Sequence, residues 1–227
     1  MNKNTNFLYS HTESKVMSSI IIDNNFKGYS LEELNIPDHY RPYLKNILIP
    51  NGLIIDRIEK LAKTIHDDYS GKKLHIICVL KGGDRIFADL NKMLDSLNVA
   101  KKSIPITYDF IRTSSYIDNK SSGVVNLMGK LDDLQDRHVL IVEDIIDTGR
   151  TLKKLTEEIK KLNPKSLKIL ALLSKRISKK SSINANYLGF SIPDEFVVGY
   201  CLDYNEHFRD LKHICVLNDL GKAEFKK

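Results

Sequence analysis

Apolar residues along this chain fall into two patterns. Short, almost unbroken runs occur at LHIICVL (74–80), HVLIV (138–142), LKILALL (167–173), EFVVGYCL (195–202) and HICVL (213–217). Runs of this length without polar alternation predict strands covered on both faces. Between them the period changes. In 52–69 the apolar residues Leu53, Ile54, Ile58, Leu61, Ala62 and Ile65 form a 3.6-residue stripe, which predicts a helix. FADLNKMLDSL (87–97) and TLKKLTEEIKKL (151–162) predict two more, the second ending before Asn163-Pro164. Strands alternating with helices predict an α/β fold: a mostly parallel, twisted sheet flanked by helices and joined by right-handed crossovers. Such sheets bind ligands beyond the carboxyl ends of their strands. The chemistry is therefore expected just after Leu80, Val142 and Leu173.

Composition narrows the class. The chain has 227 residues, 42% of them hydrophobic and 28% charged, which excludes a disordered, collagen-like or disulfide-stapled chain. No apolar run approaches the roughly 18 residues of a membrane-spanning helix. Three cysteines, Cys78, Cys201 and Cys215, lie far apart without a CxxC pair and read as small core hydrophobes in a reducing compartment. The polar start lacks the apolar core of a signal peptide. We therefore expect a cytoplasmic protein with a flexible extension over residues 1–15 and one domain over 16–227. A net charge of +6 suits an anionic partner, although a solvated basic surface would also carry it. The basic stretch SKRISKKSS (174–182) reads as an exposed loop.

The segment after the second predicted strand carries the sharpest chemistry. Glu143 and Asp144 follow Val142, then Ile145, Ile146, Asp147, Thr148, Gly149, Arg150 and Thr151 lead into a helix. Gly149 permits a tight turn. The amides from Thr148 to Thr151 open the helix and can converge on one anion, a phosphate above all, with hydroxyls from Thr148 and Thr151 beside them. Adjacent acids next to a phosphate site make sense with a sugar diol or with Mg²⁺ held through water. Neither a Walker A loop nor a Gly-x-Gly-x-x-Gly fingerprint is present.

VEDIIDTGRT resembles the phosphoribosyl-diphosphate loop of the type I phosphoribosyltransferases. From about Gly28 to Lys227 the chain is similar to the branch that acts on hypoxanthine and guanine: IPNGLIIDRIEKLA, VLKGG, DFIR..SY, VEDIIDTG, LL.KR and FVVGY.LDYNEHFRDL occur in that order. The resemblance implies the type I fold, with a small hood built from N- and C-terminal segments. It implies transfer of a ribosyl phosphate from 5-phospho-α-D-ribose 1-diphosphate (PRPP) to a 6-oxopurine, giving IMP or GMP and diphosphate, with Mg²⁺ as cofactor. Residues 147–151 would cradle the 5′-phosphate, and Glu143 and Asp144 would hold the ribose hydroxyls and support metal. Asp147 would be the catalytic base. Lys81 and Gly82 would meet the diphosphate, after a cis peptide at Leu80–Lys81. Ser115 and Tyr116 would reach the diphosphate from a closing lid. Lys175 would contact the purine 6-oxo group, which disfavours adenine because its 6-amino group is itself a donor. Phe196 would stack on the base, with Glu195 and Val197 beside it. Asp203 would bind a second metal, and Arg209 would fork onto the diphosphate. Tyr204 and Phe208 read as core.

Arg150 stands where many relatives carry lysine, Ser114 replaces a basic residue, Ser174 an apolar one, and Asp84-Arg85 is unusual; none removes a group that the reaction needs. The implied partners are small molecules, with no nucleic acid and no membrane, and the family forms homodimers and homotetramers. Two rivals stay open: a nucleotide or RNA sensor on the same fold, and a phosphoribosyltransferase for another base such as xanthine or a pyrimidine.

Overall fold

The computed structural model describes residues 18–99, 103–114, 126–128, 131, 134–177, 181 and 183–227. In chain order the elements are β1 (Ile20–Ile21), a 3-10 turn (Arg41–Tyr43), β2 (Leu44–Ile49), α1 (Asn51–Tyr69), β3 (Leu74–Leu80), α2 (Asp84–Leu97), β4 (Ile106–Ser114), β5 (Asn126–Met128), β6 (His138–Ile146), α3 (Arg150–Lys161), β7 (Ser166–Lys175), β8 (Tyr187–Ile192), β9 (Val197–Val198), β10 (Ile214–Leu217) and α4 (Asp219–Glu224).

Seven strands form one sheet in the order β1-β8-β7-β6-β3-β4-β5. Every neighbouring pair is parallel except β4–β5. β3 and β6 lie side by side, yet the chain leaves β3 towards β4 and returns to β6 on β3's other flank. That reversal opens the crevice at the strands' carboxyl ends where such sheets bind ligands.

The sheet is covered on both faces, as its unbroken apolar runs require. Helices α1 and α2 bury Ile54, Ile58, Leu61, Ile65, Ile86, Leu90 and Leu94 against Ile76, Cys78, Leu140, Val142 and Leu172 on one face. Helix α3 buries Leu152, Leu155 and Ile159 against Ile77, Ile141, Ile169 and Ala171 on the other. Successive strand residues feed opposite cores, which is the two-residue period read on a doubly covered sheet. Arg57, buried on α1, is held by the carbonyls of Gly189 at 3.1 Å and Leu188 at 2.8 Å, so the helix is pinned to β8.

A second sheet, β2-β10-β9, is antiparallel and forms a hood. Its own core gathers Ile36, Tyr40, Leu44, Ile47, Val198, Phe208, Leu211, Cys215 and Leu217. Its other side, through Leu48, Ile49, Val197, Ile214 and Val216, joins the core under α1.

Several expectations change here. EFVVGYCL does not make one strand: only Val197–Val198 is extended, and Gly199, Tyr200 and Cys201 have φ of 96°, 52° and 76°, which turns the chain back. That short strand and HICVL belong to the hood and not to the parallel sheet, because β9 pairs with β10 and β10 pairs with β2. The segments at β1, β2 and β8 gave no prediction, being short or broken by polar residues. Ser174 and Lys175 complete β7, so the basic stretch leaves the sheet only at Arg176. Cys78 and Cys215 are buried, whereas Cys201 is half-buried beside the site. The expected extension over 1–15 and the lid residues Ser115 and Tyr116 lie outside the described residues.

Candidate active site

The carboxyl ends of β3, β6 and β7 and the hood's turn frame one crevice. At its centre the chain leaves β6 and enters α3. Gly149 is the residue before that helix, with φ of 72°, a left-handed backbone that glycine adopts without steric cost. Among the described residues no side chain caps the helix start. The first-turn amides therefore point outward as unclaimed donors with the positive end of the helix dipole behind them. Glu143, Ile145, Ile146, Asp147, Thr148, Gly149, Arg150, Thr151 and Leu152 line a cleft of about 200 Å³ around them. All the residues from 147 to 151 that the sequence singled out meet in this turn.

Glu143 and Asp144 sit below it. The Ile145 amide donates to Asp144 Oδ1 at 2.7 Å, and the Asp144 amide reaches Glu143 Oε1 at 3.3 Å. Burial pushes both carboxyls up from the usual range, and repulsion from Asp144 pushes Glu143 further. Arg209 favours the charged form of Asp144, but more weakly than burial opposes it. Paired acids raised in this way are suited to compensation by a cation or by sugar hydroxyl donors. Gly82 lies against this pair: a Cβ there would fall 1.6 Å from Asp144 Oδ2. The bare backbone of VLKGG thus lets the β3 and β6 turns touch. The Leu80–Lys81 peptide is cis.

Lys175, at the end of β7, reaches across. Its Nζ is 3.9 Å from Asp147 Oδ2 and 3.9 Å from Asp194 Oδ1, and it lies 5.8 Å from the centre of the Phe196 ring. Its side chain is only 12% exposed, whereas Phe196 is 39% exposed and offers an open aromatic face. Phe196 packs edge-on to Tyr204, and Phe208 is fully buried in the hood. Val197 is buried in β9. Glu195 turns away from Lys175 and pairs with Lys45 of β2 at 3.3 Å, a cross-hood contact.

On the opposite wall, Arg209 holds Asp203 Oδ1 at 2.9 Å and donates to the Cys201 carbonyl at 2.7 Å. Its Nε is buried with no hydrogen-bond partner among the described residues. The Cys201 thiol donates to the Lys81 carbonyl at 3.2 Å and ties the hood turn to the β3 turn. Tyr200 donates its hydroxyl to Asp89 of α2 and lies under the Arg85 guanidinium, 4.9 Å from ring centre to Cζ. Asp84-Arg85, unusual in sequence, thus includes a clamp on the hood, for Arg85 also donates to the Leu211 carbonyl at 3.0 Å.

Among the described residues, no three His, Cys, Asp or Glu side chains converge on one metal position. Asp203 and the Glu143–Asp144 pair stand apart, each able to offer one or two oxygens. Two residues escaped the sequence reading. Asp194 faces Lys175, and Glu206 contacts both Lys81 and Arg209. Glu206 lies inside LDYNEHFRDL, three residues before Arg209, and that spacing was its only signal.

A model of the phosphoribosyl transferase domain matches residues 46–205. The chain belongs to the phosphoribosyltransferase family. It is 45% identical over 216 residues to hypoxanthine-guanine phosphoribosyltransferase of Rattus norvegicus, covering 94% of this chain and 99% of that protein. To the enzyme of that name from Homo sapiens it is 45% identical over 210 residues, 91% of this chain and 96% of that one. Among solved structures it is similar to hypoxanthine-guanine phosphoribosyltransferase from Schistosoma mansoni in complex with IMP, with a TM-score of 0.78 and 36% identity, over 92% of this chain and 100% of that chain. The phosphoribosyltransferase fold expected from the motifs is the one observed.

Proposed function

We propose that this phosphoribosyltransferase serves purine salvage, joining hypoxanthine or guanine to the ribosyl phosphate of PRPP and releasing diphosphate with IMP or GMP. One observation carries the reading. Lys175 stands within 4 Å of Asp147 in the anion-binding turn, and beside the open ring of Phe196. A phosphate cradle and a flat-ring platform thus share one lysine, which is what a nucleotide product demands.

The 5′-phosphate takes the first-turn amides of α3 with the hydroxyls of Thr148 and Thr151, and Arg150 adds charge. Glu143 and Asp144 accept from the ribose hydroxyls and stabilise positive charge as the ring becomes oxocarbenium-like. The base lies on Phe196, its 6-oxo group accepting from Lys175, and the backbone of Val197 meets its edge. As N9 bonds to C1′, the N7 proton passes to the Asp147 carboxylate. The C1′–oxygen bond breaks and its electron pair leaves with diphosphate. Lys81, the Gly82 backbone and Arg209 receive that group; the resemblance assigns Ser115 and Tyr116, which lie outside the described residues, to the same diphosphate. Glu195 acts at the rim through Lys45.

The donor set fits Mg²⁺, which keeps several waters and takes one or two carboxylates plus substrate oxygens. Asp203 would hold one ion at the diphosphate, and Glu143 with Asp144 would support another through water. When bound, it supplies charge neutralisation of the leaving diphosphate.

We further propose that residues 16–227 act as one catalytic domain behind an N-terminal extension. Free thiols at Cys78, Cys201 and Cys215 support a reducing, cytoplasmic setting. No described helix is long and apolar enough to cross a membrane. The family resemblance supports a homodimer or homotetramer.

The test mixes the protein with PRPP and Mg²⁺ and, separately, hypoxanthine, guanine, xanthine, adenine or a pyrimidine base. IMP and GMP are expected, and AMP is not. No nucleotide from any base would leave a sensor on the same fold, and product from xanthine or a pyrimidine alone would reassign the base.

A further inference from the structure

Glu206 occupies an odd position for a side chain that the proposed chemistry does not use. Its Oε2 accepts from Lys81 Nζ at 2.5 Å, and its Oε1 lies 3.5 Å from Arg209 Nη2. These are two of the cations assigned to the diphosphate. One carboxylate thus satisfies both while standing where negative charge is expected to arrive.

The backbone is arranged to keep it there. Asn205 and Glu206 have φ of 50° and 75°, conformations that L residues rarely adopt and that persist where the surroundings over-determine them. The surroundings do so. The Glu206 amide donates to Asp203 Oδ2 at 2.8 Å, and Asn205 Nδ2 donates to the Phe225 carbonyl at 2.7 Å. Asp203 therefore holds Glu206 through one oxygen and Arg209 through the other. Both ends of the Lys81–Glu206 pair remain accessible, with side chains 44% and 50% exposed. An exposed ion pair of this kind is weak, and a multiply charged anion can displace it.

We propose that Glu206 is a resident counter-carboxylate which the diphosphate group must displace from Lys81 and Arg209, and which thereby limits affinity for PRPP and diphosphate. It keeps the two cations paired in the free enzyme. It also returns to them as product leaves, which lowers the cost of releasing a highly charged anion. This rests on the phosphoribosyl-transfer reading. A residue that merely braced the turn would act in the opposite direction, because loosening the turn would scatter Asp203 and Arg209 and weaken binding.

The experiment is calorimetric titration of wild type and Glu206→Gln with magnesium diphosphate, with magnesium PRPP and, as an internal reference, with IMP. Glutamine keeps the length and removes the charge. Expected is tighter binding of diphosphate and PRPP to Glu206→Gln by about three- to tenfold, the scale of one or two exposed ion pairs, with IMP affinity unchanged. In a Lys81→Met background the gain from Glu206→Gln should shrink to about twofold or less, since the strongest displaced contact is already gone. Equal or weaker diphosphate binding by Glu206→Gln, with wild type binding normally, overturns the counter-carboxylate and leaves the transferase reading intact. Failure of wild type to bind PRPP or diphosphate at all removes both.

Discussion

Nζ of Lys175, at the end of β7, lies 3.9 Å from Oδ2 of Asp147, in the turn after β6. The lysine proposed for the purine site and the proposed base catalyst are therefore neighbours, though 28 residues separate them in sequence. At that distance the pair attracts without a direct hydrogen bond, and in the proposed reading the two groups meet neighbouring atoms of the purine edge side by side, Lys175 the 6-oxo oxygen and Asp147 the N7–H.

Asp147→Ala should lower kcat by about 10²–10⁴, the usual worth of general-base help. IMP affinity should change far less, because the amides of the cradle remain. Steady-state rates beside IMP titration check this, and unchanged turnover sinks the base assignment. Lys175→Ala should instead raise KM for hypoxanthine and guanine by roughly 10- to 100-fold, as for a lost hydrogen bond from a charged donor.

Gly82 has no room for a methyl group, since its Cβ would sit 1.6 Å from Asp144 Oδ2. Asp144 must move in Gly82→Ala. A displacement of that order should cost at least about a hundredfold in kcat/KM for PRPP. Circular dichroism should remain that of the folded protein. Normal kinetics in this variant would mean that contact between the two turns does not matter.

Burial works against both the Glu143 and the Asp144 charge; Asp144 repels a charged Glu143 as well, whereas the contacts of Asp144 with Glu143, Ile145 and Arg209 only partly offset its burial. Asp144→Asn removes one charge and keeps the shape. It should raise Tm by a few degrees, about 1 kcal/mol for a chain of this size, while lowering turnover. A fall in Tm would show that the carboxylate is compensated in the free protein.

Burial holds the imidazoles of His75, His138 and His213 below the ordinary histidine range. A base whose folded pKa is depressed binds fewer protons folded than unfolded. Its favourable contribution is complete above about pH 6.5, the unfolded value, and is lost as pH falls below it. His75 is 3% exposed and shares a hydrogen bond with Thr107 Oγ1 at 2.8 Å. Thermal melts should therefore show Tm dropping between pH 7 and pH 5.5, with a shallower drop in His75→Gln. An equal slope in the two proteins would exclude His75 as a contributor.

Much of the site was legible because its parts are contiguous. Residues 143–151 follow one another out of β6 into α3, so their order alone sets the cradle and its acids side by side. Lys175 was legible as the end of an apolar run. Glu195 was read by its position beside Phe196, yet its side chain turns to Lys45 on β2, a partner 150 residues away. Asp194 and Glu206 were missed as site residues because an acid in a turn has no pattern beyond, for Glu206, its spacing from Arg209; their distances to Lys175, Lys81 and Arg209 distinguish them.

By itself the sequence determined the central strands β3, β6 and β7 of the parallel sheet, its three main helices and the turn at Gly149. Those features rest on hydrophobic periodicity and on backbone chemistry within a few residues, which a linear pattern can express. The resemblance implied a hood, but only the tertiary structure decided that the last apolar runs form its antiparallel sheet, β9 on β10 and β10 on β2, because β10 pairs with a strand at the far end of the chain, Ile214 with Ile49. It alone also paired Lys81 with Glu206 and set Gly82 against Asp144, since ion pairs and steric exclusion depend on separations in space that the order of residues does not encode.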